Sequence, residues 1–180
     1  MKPRLQTFYA DKVVPELRTK FGYKNVNQIP RIQKIVLNVG LGEATQNGKI
    51  VDVAEAELTR IAGQKAVVTH ARKAISNFKL KENQAIGVMV TLRRQHMWEF
   101  LDRLINVALP RVRDFQGVSP RGFDHQGNYN LGLREHNVFP EVDSDKLERS
   151  RGMNITIVTS AKTDEEAREL LRQFGMPFRK

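Results

Sequence analysis

The stretch AIGVMVTLRR, residues 85–94, limits the possible folds more than any other part of the sequence. Apolar residues fill alternate positions in it: Ile86, Val88, Val90 and Leu92. Thr91 and Arg93 fall between and after them. Successive side chains of a strand point to opposite faces, so this alternation predicts a strand with one buried face and one face toward solvent.

The rest of the chain predicts further strands and helices around that one. Strands are expected in RIQKIVLNV after Pro30, at 65–70, in GNYNLGLR and in MNITIVTSA. Helices are expected at 4–21, bent near Pro15, at 49–62, ending at Gly63, at 97–109, ending before Pro110, and after the capping box of Thr163 and Glu166. Strands and helices do not alternate as in a doubly wound fold. We therefore expect one α+β domain over residues 1–180, with two layers: a mainly antiparallel sheet carrying helices on one face and open on the other.

The charge of the chain is strongly basic and unevenly distributed. Thirty Lys and Arg residues face twenty Asp and Glu residues, a formal net charge of +10. The whole excess lies in the first 95 residues, because residues 96–180 hold thirteen charges of each sign. A basic surface of this kind attracts nucleic acid or an anionic membrane.

Other features of composition exclude several classes of protein. No cysteine is present, which excludes thiolate zinc sites and thiol nucleophiles and fits a reducing cytoplasm. The amino terminus lacks the apolar core of a signal peptide, and no apolar run approaches the roughly 20 residues of a membrane-spanning helix. We therefore expect a cytoplasmic protein.

No motif predicts catalysis, a metal site or a cofactor. NVGLGEAT has Thr45 where a dinucleotide fingerprint requires its third glycine, so Gly40 and Gly42 are interpreted as turn residues. The four histidines have no metal-ligand spacing, and structural or solvated roles are expected for all of them: His70, His96, His125 and His136. We therefore expect a protein without enzymatic activity.

Polar and cationic residues cluster where the sheet is expected to be open. Lys34 and Asn38 share one face of the first strand, and Thr91 and Arg93 share the corresponding face of residues 85–94. Gln64 and Arg94 lie at nearby element ends. Cations neutralise phosphates, whereas amides and hydroxyls hydrogen-bond 2′-OH groups or base edges, so the set favours folded RNA.

A second cationic surface is predicted in a flexible basic loop at about 71–84. Its candidate RNA-contacting residues are Arg72, Lys73, Phe78, Lys79 and Lys81. The cations would follow a phosphate backbone. Phe78 either stacks on a sugar or base or folds back to anchor the loop, and the sequence leaves both alternatives open.

Four segments together resemble one family, the large-subunit ribosomal protein five of bacteria and organelles, which binds 5S rRNA. These segments are KIVLNVGLGEA, the run from AGQKAVVTH to MWEFLDRL, the run from RVRDFQG to REHNVFPEVD, and RGMNITIVTSAKTDEEARELL. The resemblance covers essentially the whole chain. It implies an antiparallel sheet that carries 5S rRNA in the central protuberance of the ribosome, a loop that contacts peptidyl-site tRNA, and an intersubunit bridge to small-subunit protein thirteen.

The resemblance also implies roles for particular residues. The rRNA contacts would be Lys34, Asn38, Gln64, Thr91, Arg93 and Arg94, and the loop at 71–84 would contact tRNA. The intersubunit contact would involve Arg111, Arg113, Glu141 and Asp143. Further expected partners are 23S rRNA and neighbouring large-subunit proteins. Where similar sequences often close the loop with Gly and Pro, this chain has Asn83, Gln84 and Ala85.

Two alternatives remain from other classes of function. An RNA-modifying or hydrolytic enzyme would use the same basic face to hold its substrate, and it would need an acid/base pair or metal cluster beside Arg93. Attachment to an acidic membrane would need a basic amphipathic helix with bulky apolar residues opposite, which the sequence lacks. We therefore expect no membrane partner.

Overall fold

A computed structural model describes residues 2–142 and 150–179 of the chain. Within these residues, five strands form one antiparallel sheet in the order β2-β3-β1-β5-β4. The strands are β1 (Ile32–Gly40), β2 (Val67–His70), β3 (Ala85–Leu92), β4 (Tyr129–Leu133) and β5 (Met153–Thr159). The α-helices are α1 (Arg4–Phe8), α2 (Val14–Phe21), α3 (Lys49–Ala62), α4 (Arg94–Arg103) and α5 (Asp164–Gln173). The sheet is open rather than closed into a barrel, so the predicted α+β class is confirmed.

β3 and β5 bury alternate side chains over most of their length. Val88, Val90 and Leu92 of β3 are buried, while Met89 is exposed and Thr91 half-buried. β5 follows the same pattern, with its odd-numbered residues from 153 to 159 buried and Asn154 exposed. β3 and β5 therefore each have one face in the core and one face outside it, whereas β2 contains no fully buried residue.

The first helical segment contains a turn that the sequence does not predict. α1 and α2 are joined by a π-helical turn, Tyr9–Val13, in which the N–H of Val14 donates to the carbonyl of Tyr9 five residues earlier. Pro15 follows at the beginning of α2. Proline has no N–H and crowds the preceding helical turn, so the wider π turn accommodates it at the place where a bend is expected.

α3 has the predicted bounds, whereas α4 does not. α3 ends at Ala62, and Gly63 takes the left-handed conformation, with φ +67°, that closes a helix. The helix expected at 97–109 instead begins at Arg94, ends its α-helical part at Arg103, and continues through a π turn and a 3₁₀ turn to Arg111. Pro110 lies within the 3₁₀ turn.

The chain divides into two compact units, neither of which is continuous in sequence. The expectation of one domain therefore stays a prediction. The first unit comprises Met1–Ile35, Arg93–Leu131 and Thr156–Lys180. In its core the ring centroid of Trp98 lies 5.8 Å from the ring centroid of Tyr9 and 5.5 Å from that of Phe174. Tyr23 donates to Glu166 at 2.6 Å and thereby links the end of α2 to α5.

The second unit comprises Val36–Leu92 and Gly132–Ile155. Here α3 lies against β3 and β2, and its buried stripe is Val51, Ala54, Leu58, Ile61 and Ala62. β2 pairs with β3 in antiparallel register, with Val68 opposite Val88. No helix in the described residues is both long enough and apolar enough to cross a bilayer.

Candidate RNA interface

β1 presents two of the predicted rRNA contacts on its unburied face. Ile35, Leu37 and Val39 are buried, whereas Lys34 and Asn38 are half-buried. Buried and unburied side chains alternate along the strand from Ile35 onward, so Asn38 keeps an amide at the outer face. The strand therefore offers a cation near its start and a neutral hydrogen-bonding group near its end.

Gln64 and Thr91 are brought together within the second unit. Gln64 follows the left-handed Gly63 at the end of α3 and is exposed. Its side-chain nitrogen donates to the main-chain carbonyl of Thr91 at 3.4 Å. The end of α3 thus places the amide side chain of Gln64 beside the C-terminal end of β3, which carries the Thr91 hydroxyl.

Arg93 and Arg94 lie where β3 passes into α4, and both are exposed. Arg93 is still extended, with φ −137° and ψ 162°, so its side chain follows the alternation of the preceding strand. Arg94 has φ +51°, an uncommon conformation for a residue with a side chain. Two cations therefore stand at this junction in the first unit.

The loop at 71–84 contains a small hairpin of its own. Ile75 and Leu80 exchange main-chain hydrogen bonds of 3.0 and 3.1 Å. Between them Ser76–Phe78 form a 3₁₀ turn, which Lys79 closes with φ +52°. Phe78 is 71% exposed, so it does not fold back to anchor the loop. The predicted cations of the loop are exposed as well: Arg72, Lys73, Lys79 and Lys81.

The residues that depart from similar sequences close the base of this loop. The N–H of Asn83 donates to the carbonyl of Ala71 at 2.9 Å, and Ala71 donates to the carbonyl of Gln84 at 2.9 Å. Asn83 has φ +60°, a conformation that asparagine tolerates better than most residues. The side chain of Gln84 accepts from the N–H of Lys81 at 3.0 Å and donates to the carbonyl of Thr45 at 3.4 Å. The closing turn is thus formed without Gly and Pro.

The residues assigned to an intersubunit contact lie apart in the chain and in different units. Arg111 and Arg113 are exposed in the first unit, and Glu141 is half-buried in the second. Asp143 lies outside the described residues. Their role stays a prediction, as do the roles of the rRNA and tRNA residues.

One polar cluster in the second unit was missed by the sequence interpretation. Glu57 of α3 accepts from the guanidinium of Arg151 at 2.9 Å, and the same carboxylate oxygen lies 3.2 Å from Nε2 of His136. The side chains of Glu57, His136 and Arg151 are 17%, 5% and 13% exposed. The sequence could have indicated that Glu57 is largely buried, because it lies one helical turn from the apolar Ala54 and next to the apolar Leu58 on α3. The sequence does not indicate a partner 94 residues away.

The described residues show no arrangement that would hold a metal ion. In 2–142 and 150–179, no three His, Asp or Glu side chains converge as metal ligands would. The carboxylate and imidazole of the missed cluster contact each other and Arg151. The geometry thus offers groups for hydrogen bonding and for neutralising phosphate.

Amide, hydroxyl and cationic side chains on the open side of a sheet, in a basic α+β chain, are typical of RNA-binding proteins. A family model described as ribosomal protein L5 matches residues 25–81, and one described as the ribosomal L5P family C-terminus matches residues 85–178. The chain belongs to this ribosomal protein L5 family. It is a structural constituent of the large ribosomal subunit and takes part in translation in the ribosome, which lies in the cytoplasm of bacteria.

Curated proteins of the same kind are similar over nearly their full length. "Large ribosomal subunit protein uL5" of Geobacter sulfurreducens is 62% identical over 98% of this chain and 98% of its own. The protein with this description from Magnetococcus marinus is 61% identical over 98% and 95%. That of Synechocystis sp. is 55% identical over 99% of both chains. Ribosomal RNA and other ribosomal components are therefore the partners of this chain.

Proposed function

We propose that this protein binds 5S rRNA with the open face of its sheet and helps to attach it in the central protuberance. The proposal is supported above all by β3, which buries Val88, Val90 and Leu92 and leaves the Thr91 hydroxyl on the other side. Asn38 and Gln64 add amides in the same unit, and Lys34, Arg93 and Arg94 add cations in the other. Amides and hydroxyls suit the 2′-OH groups of RNA, and cations suit its phosphates.

The loop at 71–84 is proposed to contact peptidyl-site tRNA. Four exposed cations surround a 3₁₀ turn whose Phe78 projects into solvent. Cations follow a nucleic-acid backbone, and an exposed aromatic ring stacks on a base or a sugar. The hydrogen bonds of Asn83 and Gln84 close the base of the loop.

A bridge to small-subunit protein thirteen, through Arg111, Arg113, Glu141 and Asp143, completes the proposal, together with contacts to 23S rRNA and to neighbouring large-subunit proteins. A protein partner suits the balanced charge of residues 96–180. We further propose that the chain has no catalytic activity. Membership of a ribosomal protein family supports this part of the proposal.

Binding of the purified protein to 5S rRNA across a series of salt concentrations tests the main proposal. Affinity should fall steeply as salt rises, because phosphate contacts release counterions. Arg93→Ala should weaken binding by about 1–3 kcal/mol, while Arg172→Ala, an exposed arginine of α5, serves as the matched control. Binding no tighter than to a random RNA of equal length would exclude the proposed function.

Deletion of residues 74–81 tests the separate role of the loop. Affinity for 5S rRNA should remain nearly unchanged, because the sheet is intact, while retention of tRNA on reconstituted ribosomes should decrease. Phe78→Ala should reproduce part of the tRNA defect without shortening the chain. Loss of 5S binding in a deletion variant that still folds would contradict this division of roles.

A further inference from the structure

An exposed apolar pair lies on the outer face of the β2–β3 hairpin. Val67 and Met89 are direct cross-strand partners, and they are 63% and 37% exposed. The next pair along the hairpin, Val68 and Val88, points to the other face, where Val88 is fully buried. Directly opposed side chains of an antiparallel pair lie about 4.5–5.5 Å apart at Cβ, so the valine and the methionine form one continuous patch.

The β2 and β3 residues next to this patch on the same face are polar but uncharged. Thr69 and Gly87 form the cross-strand pair on one side of it. Thr91, with the amide of Gln64 held at its carbonyl, lies two residues beyond Met89 on the other side. Every strand residue on this face of the hairpin is therefore neutral.

The face is also kept shallow by Gly87. A Cβ at that position would lie 2.8 Å from the hydroxyl of Thr69 and 3.0 Å from the carbonyl of Val39, which is main chain and cannot move aside cheaply. No side chain can therefore rise from the middle of the strand at Gly87. A broad, shallow partner surface can approach the hairpin closely.

The chemistry of this face suits riboses rather than phosphates. Phosphates require cations, and the strand positions here carry none. The minor groove of an RNA helix is wide and shallow and displays 2′-hydroxyls. The C–H edges of its riboses can cover the valine and the methionine, while threonine and glutamine side chains hydrogen-bond the 2′-OH groups.

We propose that the Val67–Met89 face is a ribose-binding surface that contacts the minor groove of an rRNA helix and supplies the salt-independent part of the affinity. This inference rests on the proposed function, since it assumes that the open face binds 5S rRNA. Cations on the same chain, such as Arg93, supply the salt-dependent part. The occupant is RNA rather than a protein segment because the patch is continuous with the hydroxyl and amide groups of Thr91 and Gln64.

The test uses the full-length chain, 5S rRNA and two near-isosteric substitutions, Met89→Gln and Val67→Thr. Both positions are exposed, so the fold should be retained, and equal thermal melting of the variants verifies this. Each variant should bind about three- to tenfold more weakly, because apolar area is no longer removed from water in the complex. The slope of log affinity against log salt should not change. Arg93→Gln is the charge-removing control, and it should reduce that slope by about 0.7–0.9.

A second measurement addresses the sugar directly. Wild-type protein should bind 5S rRNA carrying 2′-deoxynucleotides in the contacted helix more weakly than unmodified 5S rRNA. Thr91→Val should make this difference smaller, because the hydroxyl that reads the 2′-OH is then missing.

The outcomes separate this inference from the function on which it rests. If the wild type prefers 5S rRNA and Arg93→Gln weakens binding, but Met89→Gln and Val67→Thr bind as the wild type does, only the ribose surface is refuted. If these two variants bind RNA normally but fail to associate with a purified neighbouring ribosomal protein, the face binds protein and the inference is also wrong. If the wild type shows no preference for 5S rRNA, the proposed function itself fails.

Discussion

Replacement of Glu57 gives the sharpest test of the side-chain packing in the second unit. The N–H of Arg151 can only donate, and it lies 3.0 Å from Nδ1 of His136, so we assign Nδ1 as the acceptor. Nε2 of the same ring lies 3.2 Å from the Glu57 carboxylate, without the geometry of a hydrogen bond. The main-chain N–H of His136 donates in turn to the carbonyl of Arg151 at 3.1 Å. One carboxylate oxygen thus accepts from the largely buried guanidinium of Arg151 and lies beside the buried ring of His136.

The size of the effect follows from what each substitution leaves behind. Removing one member of a buried ion pair costs about 3–5 kcal/mol, because the other charge is left uncompensated. Glu57→Leu removes both the charge and the acceptor, so it should destabilise the protein by about 4 kcal/mol. Glu57→Gln can keep an oxygen facing Arg151 and His136, and we expect about 2 kcal/mol, or roughly 4–8 °C in Tm.

Urea unfolding followed by far-UV circular dichroism measures both losses. Glu55→Gln is the matched control, since it makes the same substitution on the same helix. Glu55 lies 4.0 Å from a lysine, Lys65, that is 85% exposed, and an exposed pair of this kind is worth less than about 1 kcal/mol. Stability should therefore decrease in the order wild type, Glu55→Gln, Glu57→Gln and Glu57→Leu.

A double variant separates loss of charge compensation from loss of packing. Glu57→Leu combined with Arg151→Leu removes both charges, so it should be more stable than the sum of the two single losses predicts. Strict additivity would refute the idea that an uncompensated buried charge causes the effect. Equal stability of Glu57→Leu and the wild type would refute the importance of the cluster altogether.

Three further substitutions test local features of the first unit, and a fourth, Gly132→Ala in the second unit, serves as a control. Thr163→Ala should cost about 1 kcal/mol in urea unfolding, because the hydroxyl caps the first turn of α5. Gly127→Ala should lower the free energy of unfolding by at least about 2 kcal/mol, because Gly127 has φ +79° and a Cβ there would lie 2.6 Å from a main-chain oxygen. Gly132→Ala should leave the free energy of unfolding nearly unchanged in the same assay. The hydrogen bond from Arg4 lowers the pKa of Asp102, so the urea midpoint should fall as the pH drops below about 4, and Asp102→Asn should flatten this dependence.

The elements that were predicted well are those whose signal is local. The alternation in residues 85–94 predicts β3 and its buried face, because neighbouring side chains of a strand determine both. α3 was predicted with its observed bounds, because its apolar spacing and Gly63 define the helix within the segment itself. The π turns were not predicted, since they depend on how Pro15 and the helix after Arg103 fit their surroundings.

The features of the candidate site likewise divide into those with a local signal in the sequence and those that depend on distant segments. The outer positions of Asn38 in β1 and Thr91 in β3 each follow from the alternation within the residue's own strand. The Val67–Met89 patch depends on the register between two strands, and a shift of one residue would turn one of these side chains into the core. The contact between Glu57 and Arg151 joins residues 94 apart, and no pattern in either segment indicates it. Pairing between distant segments is therefore what the sequence alone could not supply.

The positions of the charged and neutral residues suggest how affinity and selectivity are divided in the proposed complex. Arg93, Arg94 and the cations of the loop at 71–84 lie at element ends, where long side chains can reach phosphates over a range of distances. Asn38 and Thr91 are short side chains within strands, so they can hydrogen-bond RNA only where its surface lies flush against the sheet. Losing a cation should therefore weaken binding to every RNA about equally, whereas losing Asn38 or Thr91 should chiefly reduce the preference for 5S rRNA over other RNA.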